Sequence, residues 1–158
     1  PEGRVVASVG TTYVDTLATA GAVRWIKSSG TGNIGWKVEY GDTGWRNISS
    51  LVPAEFKGYL FRVRRVTNET HLYVNVSQQV GVLQGFQFPA GVKLPSFDLQ
   101  RNLYRGAGHG AVVGSFRLYN SAFYYTGGTS QAINGSSYEV YASEDSWPST
   151  LPGVPGNL

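Results

Sequence analysis

The sequence predicts an all-β protein, an antiparallel β-sandwich of jelly-roll type preceded by a short strand-turn lead-in segment. Apolar residues alternate with polar ones, or form short runs that end at Gly, Asn, Ser or Pro, which is typical of short strands joined by turns. Glycine accounts for 21 of the 158 residues, and no apolar stripe of helical period is present. The best candidate for a helical turn is residues 53–57, which open on Pro53 and end before Gly58.

The composition argues against several classes of protein. Charged residues make up 15% of the chain, against about 25% in an average domain, yet aromatic residues are too frequent for a disordered tail. Without Cys, a disulfide or a thiolate metal site is impossible. Basic residues are scattered and no apolar run approaches a membrane span, so we expect neither nucleic-acid binding nor membrane insertion. The chain begins at Pro1, and we expect it to be part of a longer protein.

The clearest predicted element is a hairpin in the middle of the chain. In residues 58–66 the two faces of the first strand are Tyr59, Phe61 and Val63 on one side and Leu60, Arg62 and Arg64 on the other. Residues 67–69 are polar and suit a turn, after which residues 70–76 return with the same alternation. The pattern predicts a half-buried antiparallel pair with His71 on its outer face or at a half-buried edge.

Three further strands are expected in the second half, at residues 111–119, 122–126 and 138–142. The step Asn120-Ser121 is short enough for a tight turn between the first two strands, and Gly127-Gly128 and Asn134-Gly135 mark later turns. The tail, residues 147–158, contains three prolines and should be extended and irregular.

Residues 21–48 contain a weak repeat built around Trp. Asn33-Ile34-Gly35-Trp36-Lys37 is followed by Asp42-Thr43-Gly44-Trp45-Arg46, and each unit predicts a tight turn that precedes a strand beginning with Trp. A segment of about 45 residues struggles to bury Trp25, Trp36 and Trp45 alone, so we expect them to pack on the main domain or on other subunits. We therefore divide the chain into a neck or linker segment, residues 1–48, and a β-domain, residues 49–158.

The sequence offers no recognisable catalytic or metal-binding constellation, and we expect neither an enzyme nor a cofactor. His109 lies in a Gly-rich stretch, residues 106–110, that lacks the Lys-Ser/Thr ending of a phosphate-binding loop. No Gly-x-Ser-x-Gly nucleophile motif or pair of metal-ligating His is present. The one adjacent acidic pair, Glu144-Asp145, favours a solvated turn.

Aromatic side chains are the remaining functional signal. Tyrosines cluster around the turn predicted at residues 120–121, and neighbouring side chains on a strand face opposite ways, so one of Tyr124 and Tyr125 should be exposed. Exposed rings can stack on sugars while polar groups bind the hydroxyls. The candidate ligand contacts are Tyr104, Arg117, Tyr119, Tyr124 and Tyr125. The alternative is that these rings fill the core or a subunit contact.

Several stretches resemble bacteriophage tail proteins. Val9-Gly10-Thr11-Thr12-Tyr13 and Trp25-Ile26-Lys27-Ser28-Ser29-Gly30-Thr31-Gly32-Asn33-Ile34-Gly35-Trp36 resemble a module of tail-fibre and minor tail proteins, with Val9 in place of its usual Pro. Gly41-Asp42-Thr43-Gly44-Trp45-Arg46-Asn47-Ile48 is similar to the lead-in of a C-terminal domain from phages of actinobacteria. Phe88-Pro89-Ala90-Gly91-Val92-Lys93-Leu94-Pro95 and Trp147-Pro148-Ser149-Thr150-Leu151-Pro152-Gly153 also resemble that domain.

The resemblance implies a homotrimeric, receptor-binding tip of a phage tail, located in the virion and acting at the host cell surface. Its partners would be the rest of the fibre and a bacterial surface polysaccharide or wall polymer. A trimer would also bury Trp25, Trp36 and Trp45 between chains. No catalytic residues belong to the resemblance. The alternative function is a carbohydrate-binding module of a larger cell-wall-active enzyme.

Overall fold

The structure is a computed structural model that describes residues 1–56, 58–76, 85–105, 111–119, 122–127, 135–143 and 145–157. The described residues form two antiparallel sheets and three short 3-10 turns, which confirms the all-β, antiparallel class. The turns are Thr19–Gly21, Ser49–Leu51 and Ala54–Phe56. The last of these lies within the helical turn expected at residues 53–57, of which residue 57 is outside the described part.

The strands fall into a small sheet and a large one. The small sheet has the order β1-β2-β3, with β1 at Thr12–Val14, β2 at Ala22–Lys27 and β3 at Trp36–Gly41. The large sheet has the order β12-β4-β5-β6-β11-β8-β9-β10-β7. Its strands are β4 (Arg46–Asn47), β5 (Tyr59–Val66), β6 (Glu69–Val76), β7 (Phe86–Gln87), β8 (Leu99–Tyr104), β9 (Val112–Tyr119), β10 (Ala122–Gly127), β11 (Gly135–Ala142) and β12 (Val154–Pro155).

The predicted central hairpin is confirmed. Strands β5 and β6 pair without a register break from Tyr59 opposite Val76 to Val66 opposite Glu69. Burial alternates strictly along β5, with Phe61 and Val63 fully buried and Arg62 half-buried, as the two-residue period of a strand requires. The returning strand begins at Glu69, one residue earlier than expected, because the turn is only Thr67 and Asn68.

The large sheet curls so that its inner face encloses the core. Phe61 on β5 lies with its ring centroid 5.0 Å from that of Phe123 on β10, although the two strands are far apart in the sheet order. Phe86 on the edge strand β7 is 5.3 Å from the same Phe61 ring. Edge-to-face rings of this kind add stabilisation beyond the area they bury. Since the core closes within one chain, its inner-facing residues need no second subunit to cover them.

The strands predicted in the second half are present with shifted bounds. Strand β9 begins at Val112, β10 extends to Gly127, and β11 begins at Gly135, three residues before the predicted start. The predicted turn at Asn120-Ser121, and the turn residues Gly128 and Asn134, lie outside the described residues. The tail is irregular except for β12, which pairs with β4.

The Gly-Trp repeat forms turns of the predicted kind. Gly35 and Gly44 both adopt a positive φ, +84° and +63°. Strand β3 begins at Trp36, whereas β4 begins at Arg46, one residue after Trp45. Strand β4 lies within residues 1–48, yet it pairs with β5 of the large sheet, so the change from one sheet to the other falls at residues 42–45.

The small sheet is closed by buried polar contacts. The Lys27 side chain is fully buried, and its ammonium donates hydrogen bonds to the carbonyl oxygens of Gly32, at 3.1 Å, and Ile34. The Glu2 carboxylate accepts the backbone N–H groups of Gly35, at 3.2 Å, and Trp36, at 2.8 Å. Charge-assisted bonds of this type are stronger than neutral ones. They fix residues 28–36, the stretch rich in Gly, Ser and Thr.

The two sheets are joined where β3 runs past the end of β5. Asp42 forms an isolated bridge with Val66, and the Thr43 N–H donates to the Arg65 carbonyl oxygen at 3.0 Å. The Trp147 indole N–H donates to the Ala20 carbonyl oxygen at 2.9 Å, which ties the tail to the small sheet. Within the described residues, no helix has the length and apolar character needed to cross a membrane.

Candidate functional site

An open groove lies between the small sheet and the end of the β5–β6 hairpin. It has a volume of about 1010 Å³ and is lined by the N-terminal segment, all three strands of the small sheet, and residues 143 and 145–149. Its aromatic lining consists of Tyr13, Trp25, Trp36 and Trp147. Hydroxyl groups line it as well, from Thr19, Ser28, Ser29, Ser143, Ser146 and Ser149. A concave site with aromatic walls and a few polar groups is the usual form of a small-ligand site.

The carboxylates in the groove are occupied by the protein itself. Asp15 accepts the N–H groups of Leu17, at 3.0 Å, and Thr19, at 3.1 Å. Hydrogen bonding from the Thr19 side chain, together with these two N–H groups, holds the pKa of Asp15 below its usual range. Asp145 accepts the Gly91 N–H at 2.8 Å, and Glu2 holds the turn before Trp36. These acids position the walls of the groove.

Arg65 organises the far wall. It is 5% exposed, and its guanidinium donates to the carbonyl oxygens of Gly91 at 2.9 Å, Ser146 at 2.8 Å and Asp145 at 2.7 Å. Its guanidinium carbon lies 5.2 Å from the centroid of the Trp147 ring, a cation–π contact. Burial lowers the pKa of Arg65 from its ordinary value. Arg65 therefore fixes Trp147 and residues 145–146 at the groove.

Two polar atoms in the groove lack a partner within the described part of the chain. They are Trp25 Nε1, a donor, and Ser143 Oγ, which both donates and accepts. An unpaired buried polar atom costs about 1–3 kcal/mol. Because these two atoms have almost no accessible surface, a ligand would instead meet the exposed Ser28, Ser29 and Ser149 with its hydroxyl groups and the aromatic walls with its apolar face. The groove is therefore suited chemically to an uncharged polyol such as a sugar.

Sequence reasoning missed most of this groove. Tyr13 and Asp15 carry no signal that separates them from ordinary strand-end residues, although Asp15 with an N–H two residues later is typical of an Asx turn. Trp147 lies in a tail that was expected to be irregular, and only the contact with Arg65, 82 positions earlier in the chain, places it here. Long-range contacts of this kind leave no local pattern.

Three of the five predicted ligand contacts lie together on the outer face of the large sheet. Arg117 pairs with Tyr124 across β9 and β10, and its guanidinium carbon is 4.9 Å from the Tyr119 ring centroid. Tyr119 is 47% exposed. Arg117 also binds Asp98, its Nε at 2.6 Å from Oδ1. This hydrogen bond holds the pKa of Asp98 below its usual range and raises that of Arg117. The local charge is therefore neutralised.

The other two predicted contacts lie elsewhere. Tyr104 is at the far end of β8, opposite Val112 and Ser136, whereas Arg117 faces Gln100. Tyr125 was expected among the ligand contacts, and that expectation is wrong. It is fully buried in the core, because the alternation that turns half-buried Tyr124 outward turns Tyr125 inward opposite Phe116. Burial raises the pKa of the Tyr125 hydroxyl.

The three Trp residues predicted at a subunit interface differ in their surroundings. Trp36 is 6% exposed within the single chain, since its indole N–H donates to the Val5 carbonyl oxygen at 3.0 Å and its ring meets Tyr13 edge-on at 6.2 Å. The reasoning that Trp36 needs another subunit is therefore wrong, because the N-terminal segment covers it. Trp25 and Trp45 remain half-buried.

The other candidate residues have structural surroundings or lie outside the described part. His71 is half-buried on the outer face, as expected, with Nδ1 at 2.5 Å from the Tyr138 hydroxyl. His109 and Glu144 are not among the described residues. Asp145 is not the solvated turn residue predicted, because its carboxylate binds backbone N–H groups and its side chain is only 14% exposed. No group of three metal-ligating side chains occurs among the described residues.

Comparisons with family models, with curated proteins and with solved structures returned no match to this chain.

Proposed function

We propose that the chain is the receptor-binding tip of a phage tail fibre or minor tail protein. In this proposal it is a structural virion protein that attaches non-covalently to a bacterial surface polysaccharide or wall polymer. The observation that carries the binding role is the inter-sheet groove, which combines the half-buried ring of Trp25 with the exposed hydroxyl-bearing residues Ser28, Ser29 and Ser149. The tail assignment is supported by the resemblance of residues 9–13 and 25–36.

A sugar would be held in the groove by two complementary contacts. The apolar face of a pyranose ring packs on an aromatic side chain, here Trp25 or Tyr13, and its hydroxyls form hydrogen bonds with the exposed Ser29 and Ser149. The groove is open to solvent, so a saccharide can enter it. Such contacts give weak single-site affinity, which a multivalent particle multiplies through effective concentration.

The proposal includes a sandwich form for the large sheet and a homotrimer for the assembly. The packing of Phe61 on Phe123 across the curled sheet supports two facing layers. A trimer would present three grooves on one axis. In this scheme Trp25 serves the groove and Trp36 is buried within the chain, so neither supplies the subunit contact.

A monomeric carbohydrate-binding module of a larger cell-wall-active enzyme is the second candidate. Two observations favour it, namely that the aromatic core closes within one chain and that Trp36 is buried without a neighbour. Both candidates bind glycans, so only the assembly state separates them.

Light scattering on a sizing column tests the assembly. A mass of three times 17.1 kDa supports the fibre tip, and a mass of 17.1 kDa at micromolar concentration supports the module. Binding to a glycan array and to envelopes of actinobacterial cells tests the site.

Two matched variants locate the site. Trp25→Ala removes the groove wall, and Tyr119→Ala removes the most exposed ring of the Arg117 surface. We expect Trp25→Ala to abolish the binding of neutral glycans and Tyr119→Ala to preserve it. Loss of glycan binding in Tyr119→Ala alone would place the site at the Arg117 surface. Unchanged glycan binding in both variants would overturn a glycan site in either place.

A further inference from the structure

The outer face of the large sheet carries an unpaired cation beside exposed aromatic rings. Arg62 is half-buried on β5, and the structure records no hydrogen bond, ion pair or ring contact for it within the described residues. Its Nε atom is buried without a partner. Six other Arg residues, at positions 24, 46, 64, 65, 101 and 117, are each bound to carboxylates or carbonyl oxygens. Arg62 is therefore available to an external anion.

The strand register places aromatic side chains next to Arg62. Arg62 faces Tyr73 across β5 and β6, and Tyr73 faces Tyr138 across β6 and β11. Side chains directly opposite one another on one face of a sheet have Cβ atoms about 4.5–5.5 Å apart. Tyr138 is 51% exposed, and the Trp45 ring lies 6.2 Å from its centroid. We call Trp45, Arg62, Tyr73 and Tyr138 the outer-face patch.

The charges around the outer-face patch leave Arg62 without a competing carboxylate. Asp42 is bound by Arg64, with Nε at 2.9 Å from Oδ1. Glu69 lies four residues from Tyr73 along β6, which corresponds to about 13 Å of extended strand. Its carboxylate lies 3.7 Å from His71 Nε2. A guanidinium with free N–H groups binds carboxylate or phosphate oxygens in pairs.

We propose that the outer-face patch is a binding site, separate from the groove, for an acidic saccharide. The carboxylate or phosphate of the sugar binds the Arg62 guanidinium, and the sugar ring packs on Tyr138 and Trp45. The pairing of one unpaired cation with neighbouring rings selects an anionic sugar over a neutral one. In the groove, by contrast, the charged side chains described above are already used within the protein.

Titration calorimetry with small probes tests the site. The probes are galacturonic acid trimer and glucose 6-phosphate, each compared with its neutral counterpart, galactotriose and glucose. We expect the acidic probes to bind and the neutral ones not to bind here. A hydrogen-bonded charge contributes about 1.5–3 kcal/mol, so Arg62→Gln should weaken binding about tenfold or more. Preference for one acidic probe identifies carboxylate or phosphate as the group recognised.

Control variants separate this proposal from others. Arg24→Gln removes the same charge from an exposed position on the small sheet and should leave the affinity unchanged. Tyr138→Ala should weaken the binding of the acidic probe, whereas Trp25→Ala should weaken only the binding of a glycan held in the groove. Any of three results would overturn the proposal. They are an affinity for the acidic probes in Arg62→Gln equal to that of the unchanged protein, equal binding of neutral and acidic probes, and no binding of either acidic probe at millimolar concentration. A change of assembly state in Tyr138→Ala with probe binding intact would also overturn it, since the patch would then be covered by a second copy.

Discussion

The Gly-Trp repeat offers a matched pair of substitutions at equivalent positions. Gly35 and Gly44 both precede Trp and both have a positive φ, +84° and +63°. An added Cβ on Gly35 would lie 2.1 Å from the Ser29 carbonyl oxygen, whereas an added Cβ on Gly44 would meet nothing within 4 Å. Gly35→Ala and Gly44→Ala therefore share a backbone penalty but differ in steric clash.

The expected destabilisation can be worked out for each variant. A left-handed conformation costs an Ala about 1–2 kcal/mol, and this applies to both positions. Ala also reduces the entropy of the unfolded chain, which again is common to both. At Gly35 the clash must also displace the hydrogen bond from the Ser28 N–H to the Gly35 carbonyl oxygen, at 3.0 Å, and the two N–H bonds to Glu2. Each lost bond costs about 0.5–1.5 kcal/mol.

We therefore expect Gly44→Ala to lower the free energy of unfolding by about 1–2 kcal/mol and Gly35→Ala by about 3–5 kcal/mol. Urea denaturation, followed by far-ultraviolet circular dichroism and Trp fluorescence, measures both. Hydrogen exchange of residues 28–36 shows whether the loss in Gly35→Ala is confined to the small sheet. Equal losses in the two variants would refute the reasoning, because the difference rests wholly on the close approach to Ser29.

Three further predictions concern stability. The hydrogen bond from Arg64 holds the pKa of Asp42 below its ordinary value, so the pair stabilises the fold at neutral pH, and this contribution is lost as the pH falls through the folded pKa. Asp42→Asn should thus cost about 1 kcal/mol or less at pH 7 for a half-exposed pair and less than that at acidic pH, and identical losses at both pH values in urea titrations would contradict it. A Lys ammonium has three N–H groups on one nitrogen and cannot reproduce the Arg65 bonds to four carbonyl oxygens, so Arg65→Lys should cost about 2–4 kcal/mol by urea denaturation, while Arg24→Lys on the surface should cost little. Tyr125→Phe removes a buried hydroxyl that has no hydrogen-bond partner within the described residues. It should leave the melting temperature unchanged or raise it, and glycan binding should stay intact. A fall in glycan binding would show that Tyr125 contacts the ligand.

The central hairpin was predictable because its information is local. A strand has a period of two residues, so the alternation of Phe61 and Val63 with Arg62 and Arg64 fixes both the element and the face that is buried. The turns at Gly35 and Gly44 were predictable for the same reason, since Asn or Asp two residues before a Gly favours a turn, and Gly adopts the positive φ freely.

The assignment of exposed and buried tyrosines was predictable only in part. Alternation requires Tyr124 and Tyr125 to face opposite ways, but it does not say which of them faces the core. That choice depends on the register with β9, where Tyr125 lies opposite buried Phe116. Pairing between strands is decided by the best burial over the whole sheet, and a local pattern leaves it open.

The sequence by itself determined the all-β class, the central hairpin and the Gly-Trp turns, because each depends on residues close together in the chain. Only the tertiary structure decided the candidate sites. The groove exists because Arg65 reaches carbonyl oxygens 80 and 81 residues away and holds Trp147 against the small sheet. Arg62 and Arg65 look alike in the sequence, yet one is buried among acceptors and the other is left unpaired. A buried cation must find its acceptors wherever the fold brings them, and no spacing in the chain records where that is.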